Sequence, residues 1–181
     1  MNHCDECGFV YADHGTDTVV DEISGLAARY GTRLRVPSDE TDLREALRRR
    51  PEPDVWSALE YACHVRDVLL AQRERLFLTL VENRPSFAPI YRDRRVVLAR
   101  YSEEKLEQVA AETEVAVSLI SWAFAGLDPA DWDRLCIYNF PEPAEQSVLW
   151  LAQHTLHEGE HHLQDIDRVI AMTTRSSRFR S

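Results

Sequence analysis

"DVWSALEYACHVRDVLLAQRERLFLTLVEN", residues 54–83, is the stretch whose reading decides the fold. Asp54 opens it, Pro85 lies just beyond it, and no glycine or proline interrupts it. Its apolar side chains cover most of the circumference at helical spacing, as in a helix buried between neighbours. One stripe breaks that pattern. Glu60, His64 and Asp67, at i, i+4 and i+7, project three polar groups from one face of a largely apolar rod.

Helix signals continue on both sides. A first helix is expected from about Thr16 to Tyr30, and a short one from Ser38 or Asp39 to about Arg49, stopped by "PEP" at 51–53. Another runs from Ser102 to Ala125, closed by Gly126, and a last one from about Ala144 to Met172, with Pro143 in its first turn. The stretches 85–101 and 127–146 read as long connections. The 181 residues suit a single core, and 44% apolar content with only six glycines favours helix over a loop-rich β architecture. The expectation is an all-α chain, a four-helix bundle with at least one crossover connection. Its parts are an N-terminal Cys-x2-Cys arm at 1–15, the bundle at 16–172 and a flexible polar tail at 173–181.

The net charge of -10 argues against nucleic acid or an anionic membrane as partner, since both require a surface excess of Lys and Arg. The N-terminal "MNHCDECGF" has neither the basic nor the apolar segment of a secretory signal, and no long apolar run follows. A cytoplasmic protein with a small-molecule substrate is expected, and a homodimer is compatible with a bundle of this size. In a reducing compartment, Cys4, Cys7, Cys63 and Cys136 are expected as free thiols or metal ligands rather than disulfides.

The last helix carries the chemistry. "HTLHEGEHHLQDI", residues 154–166, holds four of the seven histidines. At 100° per residue, Trp150, His154, His157, His161, Gln164 and Arg168 fall within an arc of roughly 80°. His162 points elsewhere, and Glu158 and Glu160 turn away from the stripe as solvated residues. His157 and His161, one turn apart, can reach one ion. A third ligand must come from another helix, and His64 is the only histidine inside another predicted helix. Three neutral imidazoles with an open fourth position describe a catalytic metal site. Taken singly, each of these histidines also reads as a hydrogen-bonded core residue or a surface residue.

Around that site, His154 is expected to face substrate or support a ligand. Glu60 and Asp67 are candidates to accept an imidazole N–H, or ordinary carboxylates of a helix surface. Gln164 and Arg168 continue the stripe and are the candidates for binding a cosubstrate. Cys4-x2-Cys7-Gly8 has the shape of half a zinc knuckle. Its remaining ligands would come from His3, His14, Cys63, Cys136 or another chain. A redox dithiol, or an arm that folds over the bundle mouth and offers a thiolate to the histidine-bound metal, is the alternative. Cys63 reads as a small core residue.

"WSALEYACHVRDVL" (56–69) resembles the second helix of the DinB/YfiT-like superfamily, and "HEGEHHLQDI" (157–166), read as His-x3-His-x2-Gln, resembles its last-helix motif. The resemblance extends from about Thr16 to Met172 in the order and spacing of elements. It implies a four-helix bundle with a divalent metal held by His64, His157 and His161. It also implies a thiol-dependent S-transferase or isomerase with mycothiol or bacillithiol as cosubstrate. His161-His162-Leu163-Gln164 departs from the family's usual His-Arg-Gly-Gln, and the arm lies outside the common pattern. The expected activity is a metal-dependent S-transferase using a mycothiol-like thiol, with zinc as first choice of metal and nickel or iron next. A hydrolase acting through metal-activated water and a non-catalytic metal-binding or sensor protein are the alternatives.

Overall fold

The computed structural model describes residues 3–178. Four long helices, α1 (Val19–Leu34), α3 (Ala58–Val81), α5 (Leu106–Ala125) and α6 (Val148–Arg178), form the bundle, and the short helices α2 (Thr41–Arg48) and α4 (Arg92–Leu98) lie in its connections. α1 packs on α5 and α6, and α3 packs on the same two. The cyclic order is therefore α1, α5, α3, α6. Consecutive long rods α1 and α3 stand diagonally opposite, and the chain crosses between them through α2, which touches α3 and α6. This is the expected bundle with its crossover.

α3 begins later than Asp54. The Ser57 hydroxyl accepts from the Glu60 backbone N–H at 3.2 Å, and Glu60 Oε2 accepts from the Ser57 N–H at 2.8 Å, a reciprocal capping box written in the sequence as Ser-x-x-Glu. The Glu60 carboxylate also takes two hydrogen bonds from Arg50, at 2.7 and 2.8 Å, which ties the α2–α3 connection to the helix start.

The connections differ most from expectation. β1 (Ser86–Phe87) pairs in parallel with β2 (Leu135–Asn139), which pairs antiparallel with β3 (Pro143–Ser147). Cys136 and Tyr138 point inward while their neighbours are more exposed, the two-residue period of a half-buried strand. Pro143 starts β3 instead of the last helix. At the first residue of an edge strand its missing N–H interrupts no ladder, and α6 starts only at Val148. At the other end α6 continues through Arg178, so 173–178 of the expected tail are helical, and 179–181 lie outside the described residues.

Leu26, Tyr30, Leu59, Leu69, Ile120, Phe124, Leu151 and Leu163 fill the core. α6 meets α1, α2, α3, β3 and the N-terminal 3-10 turn Tyr11–Asp13, so it is covered over far more than one stripe. It meets α1 at Gly159, whose carbonyl accepts from the Tyr30 hydroxyl at 2.9 Å and whose missing side chain leaves room for Leu26. Val115, Leu119 and Trp122 remain exposed along α5. No described helix is long and apolar enough to cross a membrane.

Candidate metal centre

Packing of α3 against α6 brings His64 to the middle of the last helix, where it meets Glu158 and His162. His64 Nε2 lies 3.7 Å from Glu158 Oε2, and His162 Nε2 lies 3.8 Å from the same oxygen. The two rings stand nearly perpendicular with centroids 5.0 Å apart. These separations are too long for hydrogen bonds. They are a few tenths of an ångström wider than the edge of a tetrahedral zinc site, roughly 3.4 Å for bonds of about 2.0–2.2 Å.

The surroundings aim these atoms inward. His162 Nδ1 donates to Asp165 Oδ2 at 2.8 Å, which leaves the Nε2 lone pair directed at Glu158. His64 is buried, its Nδ1 has no hydrogen-bond partner among the described residues, and its Nε2 lies 3.7 Å from Glu158 Oε2. With Nδ1 enclosed, Nε2 is the nitrogen that His64 turns toward Glu158 and the cleft. The donor set His64, Glu158 and His162 therefore fits a divalent ion, with two neutral nitrogens and one carboxylate oxygen from two helices.

His157 and His161 do converge on each other, but with different company. Their ligating atoms group with Cys4 and Cys7, all within 4.8 Å of one another, and Cys4 Sγ lies 3.7 Å from His161 Nδ1. No donor group among the described residues combines His64 with either of them. The expected trio His64, His157 and His161 is thus divided. His64 faces the Glu158–His162 side of α6, whereas His157 and His161 face the N-terminal arm. Two further groupings share members with these. In the trio His154, His157 and Glu158, a Tyr11 hydroxyl sits 2.9 Å from His154 Nδ1 and 3.2 Å from His157 Nδ1, and in His161, His162 and Asp165 the carboxylate already accepts a hydrogen bond.

Electrostatics keep the site ready for a cation. Burial pushes the His64, His154 and His157 imidazoles down, His157 to about 4, so they stay neutral. Burial opposes ionisation of Glu158, but the imidazoles of His64, His154 and His162 outweigh it and hold the carboxyl well below its ordinary range. Asp165 is likewise pushed up by burial and down more strongly by His162, and remains charged.

His64 and Glu158 line a cleft of about 470 Å³, within the size range of small-molecule sites. His154, Val68, Phe87, Ile90 and Tyr138 supply much of its wall. Arg75, Arg92 and Arg94 reach it as well, and no carboxylate among the described residues forms an ion pair with any of the three. Arg75 is fixed by donating to Tyr138 Oη at 2.7 Å, the Ala88 carbonyl at 2.7 Å and Gln72 Oε1 at 3.0 Å.

Other expected roles lie elsewhere. Gln164 Nε2 donates to the Cys7 carbonyl at 3.1 Å, and Arg168 pairs with Asp165 at 3.1 Å, so neither lines the cleft. Glu60 serves the α3 cap, and Asp67 accepts from Tyr101, Arg66 and Arg95, so neither carboxylate accepts from an imidazole. Cys63 is fully buried, its thiol pushed up to about 12 by burial, as befits a core residue. Glu158, His162 and Asp165 were missed. Their signal is the spacing Glu-x3-His-x2-Asp, a second stripe one residue around α6 from the first.

Fold and site together define a four-helix bundle with the donor set for a divalent metal at its core. Residues 39–166 match the DinB superfamily, and the chain belongs to that family. It is similar in fold to YfiT from Bacillus subtilis, described as a probable metal-dependent hydrolase with an unusual four-helix bundle topology, at TM-score 0.73 and 15% identity over 85% of both chains. It is also similar to the mycothiol-dependent maleylpyruvate isomerase, at TM-score 0.66 and 13% identity, covering 86% of this chain and 62% of that one. No curated protein matches the sequence.

Proposed function

We propose that the protein is a metal-dependent S-transferase that brings a low-molecular-weight thiol, mycothiol-like in kind, together with an anionic organic electrophile in the cleft beside His64 and Glu158. One observation carries this reading: His64 and Glu158, two members of the three-donor cluster His64, Glu158 and His162, line a cleft that Arg75, Arg92 and Arg94 also line without a carboxylate partner among the described residues. When bound there, a divalent ion supplies positive charge that stabilises a thiolate near neutral pH and polarises an electrophile.

The chain's own residues do the rest. Arg92 and Arg94 at the α4 side attract a carboxylate-bearing substrate, and the immobile Arg75 offers a fixed positive wall deeper in. Phe87, Ile90 and Val68 receive the apolar body and exclude water. Asp165 holds His162 in the tautomer that presents Nε2 to the site. His154, neutral and beside Glu158 in the same wall, is placed to pass a proton to or from the bound reactants.

The test incubates zinc-loaded protein with mycothiol, bacillithiol or glutathione and a carboxylate-bearing electrophile, following free thiol and conjugate by mass spectrometry. Conjugate formation above the uncatalysed rate, lost in His64→Ala, is the expected result. Turnover of ester or amide substrates in buffer without any thiol would replace this reading with a hydrolase. Consumption of neither, by folded and metal-loaded protein, would replace it with a metal-binding protein.

A further inference from the structure

The geometry points to a second, closed zinc site built from Cys4, Cys7, His157 and His161, which clasps the N-terminal arm onto α6. It does not rest on the reading of the cleft, because it shares no ligand with the His64 cluster.

Four observations converge on it. The donors comprise two sulfurs and two imidazole nitrogens mutually within 4.8 Å, the Cys2His2 composition of structural zinc sites. The arm is already shaped for an ion. The Gly8 N–H donates to the Cys4 carbonyl and the Cys4 N–H donates to the Phe9 carbonyl, both at 2.9 Å, and Gly8 adopts φ +77, so the turn swings both sulfurs to one side. Cys4 Sγ and His161 Nδ1 are 3.7 Å apart, close to the roughly 3.6 Å edge expected when sulfur and nitrogen sit about 2.3 and 2.0 Å from one zinc. Finally, His157 is more than nine-tenths buried, and its Nε2 has no hydrogen-bond partner among the described residues. That nitrogen is what a fourth ligand requires.

The hydrogen-bonded neighbours agree on which nitrogen each ring offers. Tyr11 Oη lies 3.2 Å from His157 Nδ1, so an Nδ1–H donating to it leaves Nε2 free for the ion. His161 Nε2 lies 3.6 Å from the Asp165 carboxylate and 3.5 Å from Glu6, which favours its proton on that side and frees Nδ1 toward Cys4. Asp165 thereby stands between two metal sites, one reached through His161 and the other through His162. With four protein ligands no corner remains for substrate, so the role is structural: both thiols release their protons to solvent and the arm is locked down. The lock has a consequence for the cleft. Tyr11, having accepted from His157, donates to His154 Nδ1 at 2.9 Å, which leaves the His154 proton on Nε2, the nitrogen 3.8 Å from Glu158.

Cobalt and elemental analysis test the site without any activity. The metal-free protein titrated with Co2+ should develop intense tetrahedral ligand-field bands and a sulfur-to-cobalt charge-transfer band. The sulfur band should persist in His64→Ala and vanish in Cys4→Ser/Cys7→Ser, and zinc content should drop by one equivalent in the double variant. Absence of the sulfur band from folded, cobalt-saturated wild-type protein, or its survival in the double variant, overturns the proposal. Should the double variant not fold, alkylation of the wild-type protein decides. Zinc should slow modification of Cys4 and Cys7 at least tenfold, and equal rates with and without zinc overturn the site.

Discussion

His64 Nε2 lies 3.7 Å from Glu158 Oε2, across the seam between α3 and α6. That distance is too long for a hydrogen bond and close to what two ligands of one ion require, in a wall where both side chains face a cleft. A carboxylate that is ionised beside neutral imidazoles is the negative half of a cation site. Its charge, rather than its shape, is what the site needs.

Glu158→Gln keeps the shape and removes the charge. Metal affinity of the His64 cluster is expected to fall by more than the 10- to 100-fold typical of losing an outer hydrogen-bond partner. The zinc equivalent assigned to Cys4, Cys7, His157 and His161 should remain. Competition against a chromophoric chelator measures both, and a wild-type affinity profile in this variant would remove Glu158 from the ligand set.

Asp165→Asn addresses both sites at once. The carboxylate accepts from His162 Nδ1 at 2.8 Å and lies 3.6 Å from His161 Nε2. Replacing it by an amide should weaken metal binding at the His162 site by roughly 10- to 100-fold, with a smaller effect on the cysteine site, because His161 is farther away. Chelator competition with site-selective variants in the background distinguishes the two, and equal losses at both sites would contradict the distances.

Glu60 gives the pH dependence. Burial raises the pKa of its carboxyl, but the Arg50 guanidinium and the Ser57 N–H and hydroxyl outweigh that and lower it below the ordinary value. A depressed folded-state value means that the stabilisation is complete above the unfolded pKa and is lost as pH falls through the folded one. Glu60→Gln should therefore cost about 1–3 kcal/mol near neutral pH, and the gap from wild type should close below about pH 5. Urea midpoints across that range provide the check; a gap that widens in acid would reverse the sign.

Gly159→Ala tests how tightly α1 seats on α6. A methyl group there would overlap Leu26 Cδ1 and lie 3.0 Å from Cδ2, and Leu26 is fully buried. Overpacking at such a contact is expected to cost about 1–3 kcal/mol, read as a lower Tm. The double variant with Leu26→Ala should show less than the sum of the two losses, and strict additivity would mean that the residues do not touch.

Much of the bundle is legible in the sequence because its rods carry unbroken helical periodicity, and residues 54–83 carry it most clearly. The β2–β3 hairpin hid behind Pro141 and Pro143, which read as loop and helix-start signals although both fit the turn and edge of a small sheet. The site was half legible. Placing His154, His157 and His161 on one arc was sound geometry, but it carried the assumption that α6 shows a single face to the interior. Arm, α1 and α3 in fact surround it, so the adjacent stripe of Glu158, His162 and Asp165, about 100° further round, is interior too. The sequence leaves the arm's place open between a knuckle of its own, a redox dithiol and a thiolate offered to the histidine-bound metal, because its contact with α6 spans over 150 positions of chain and leaves no local signal.

The arm and α1 both precede residue 39, where the match to the family begins. An excised domain cut to that boundary would keep every histidine of α6 and lose what sheathes them. His157 and His161, one turn apart, would then lose the cover of Cys4, Phe9 and Tyr11, so strong retention of the trimmed chain on a nickel resin would report exposed rings rather than an assembled centre.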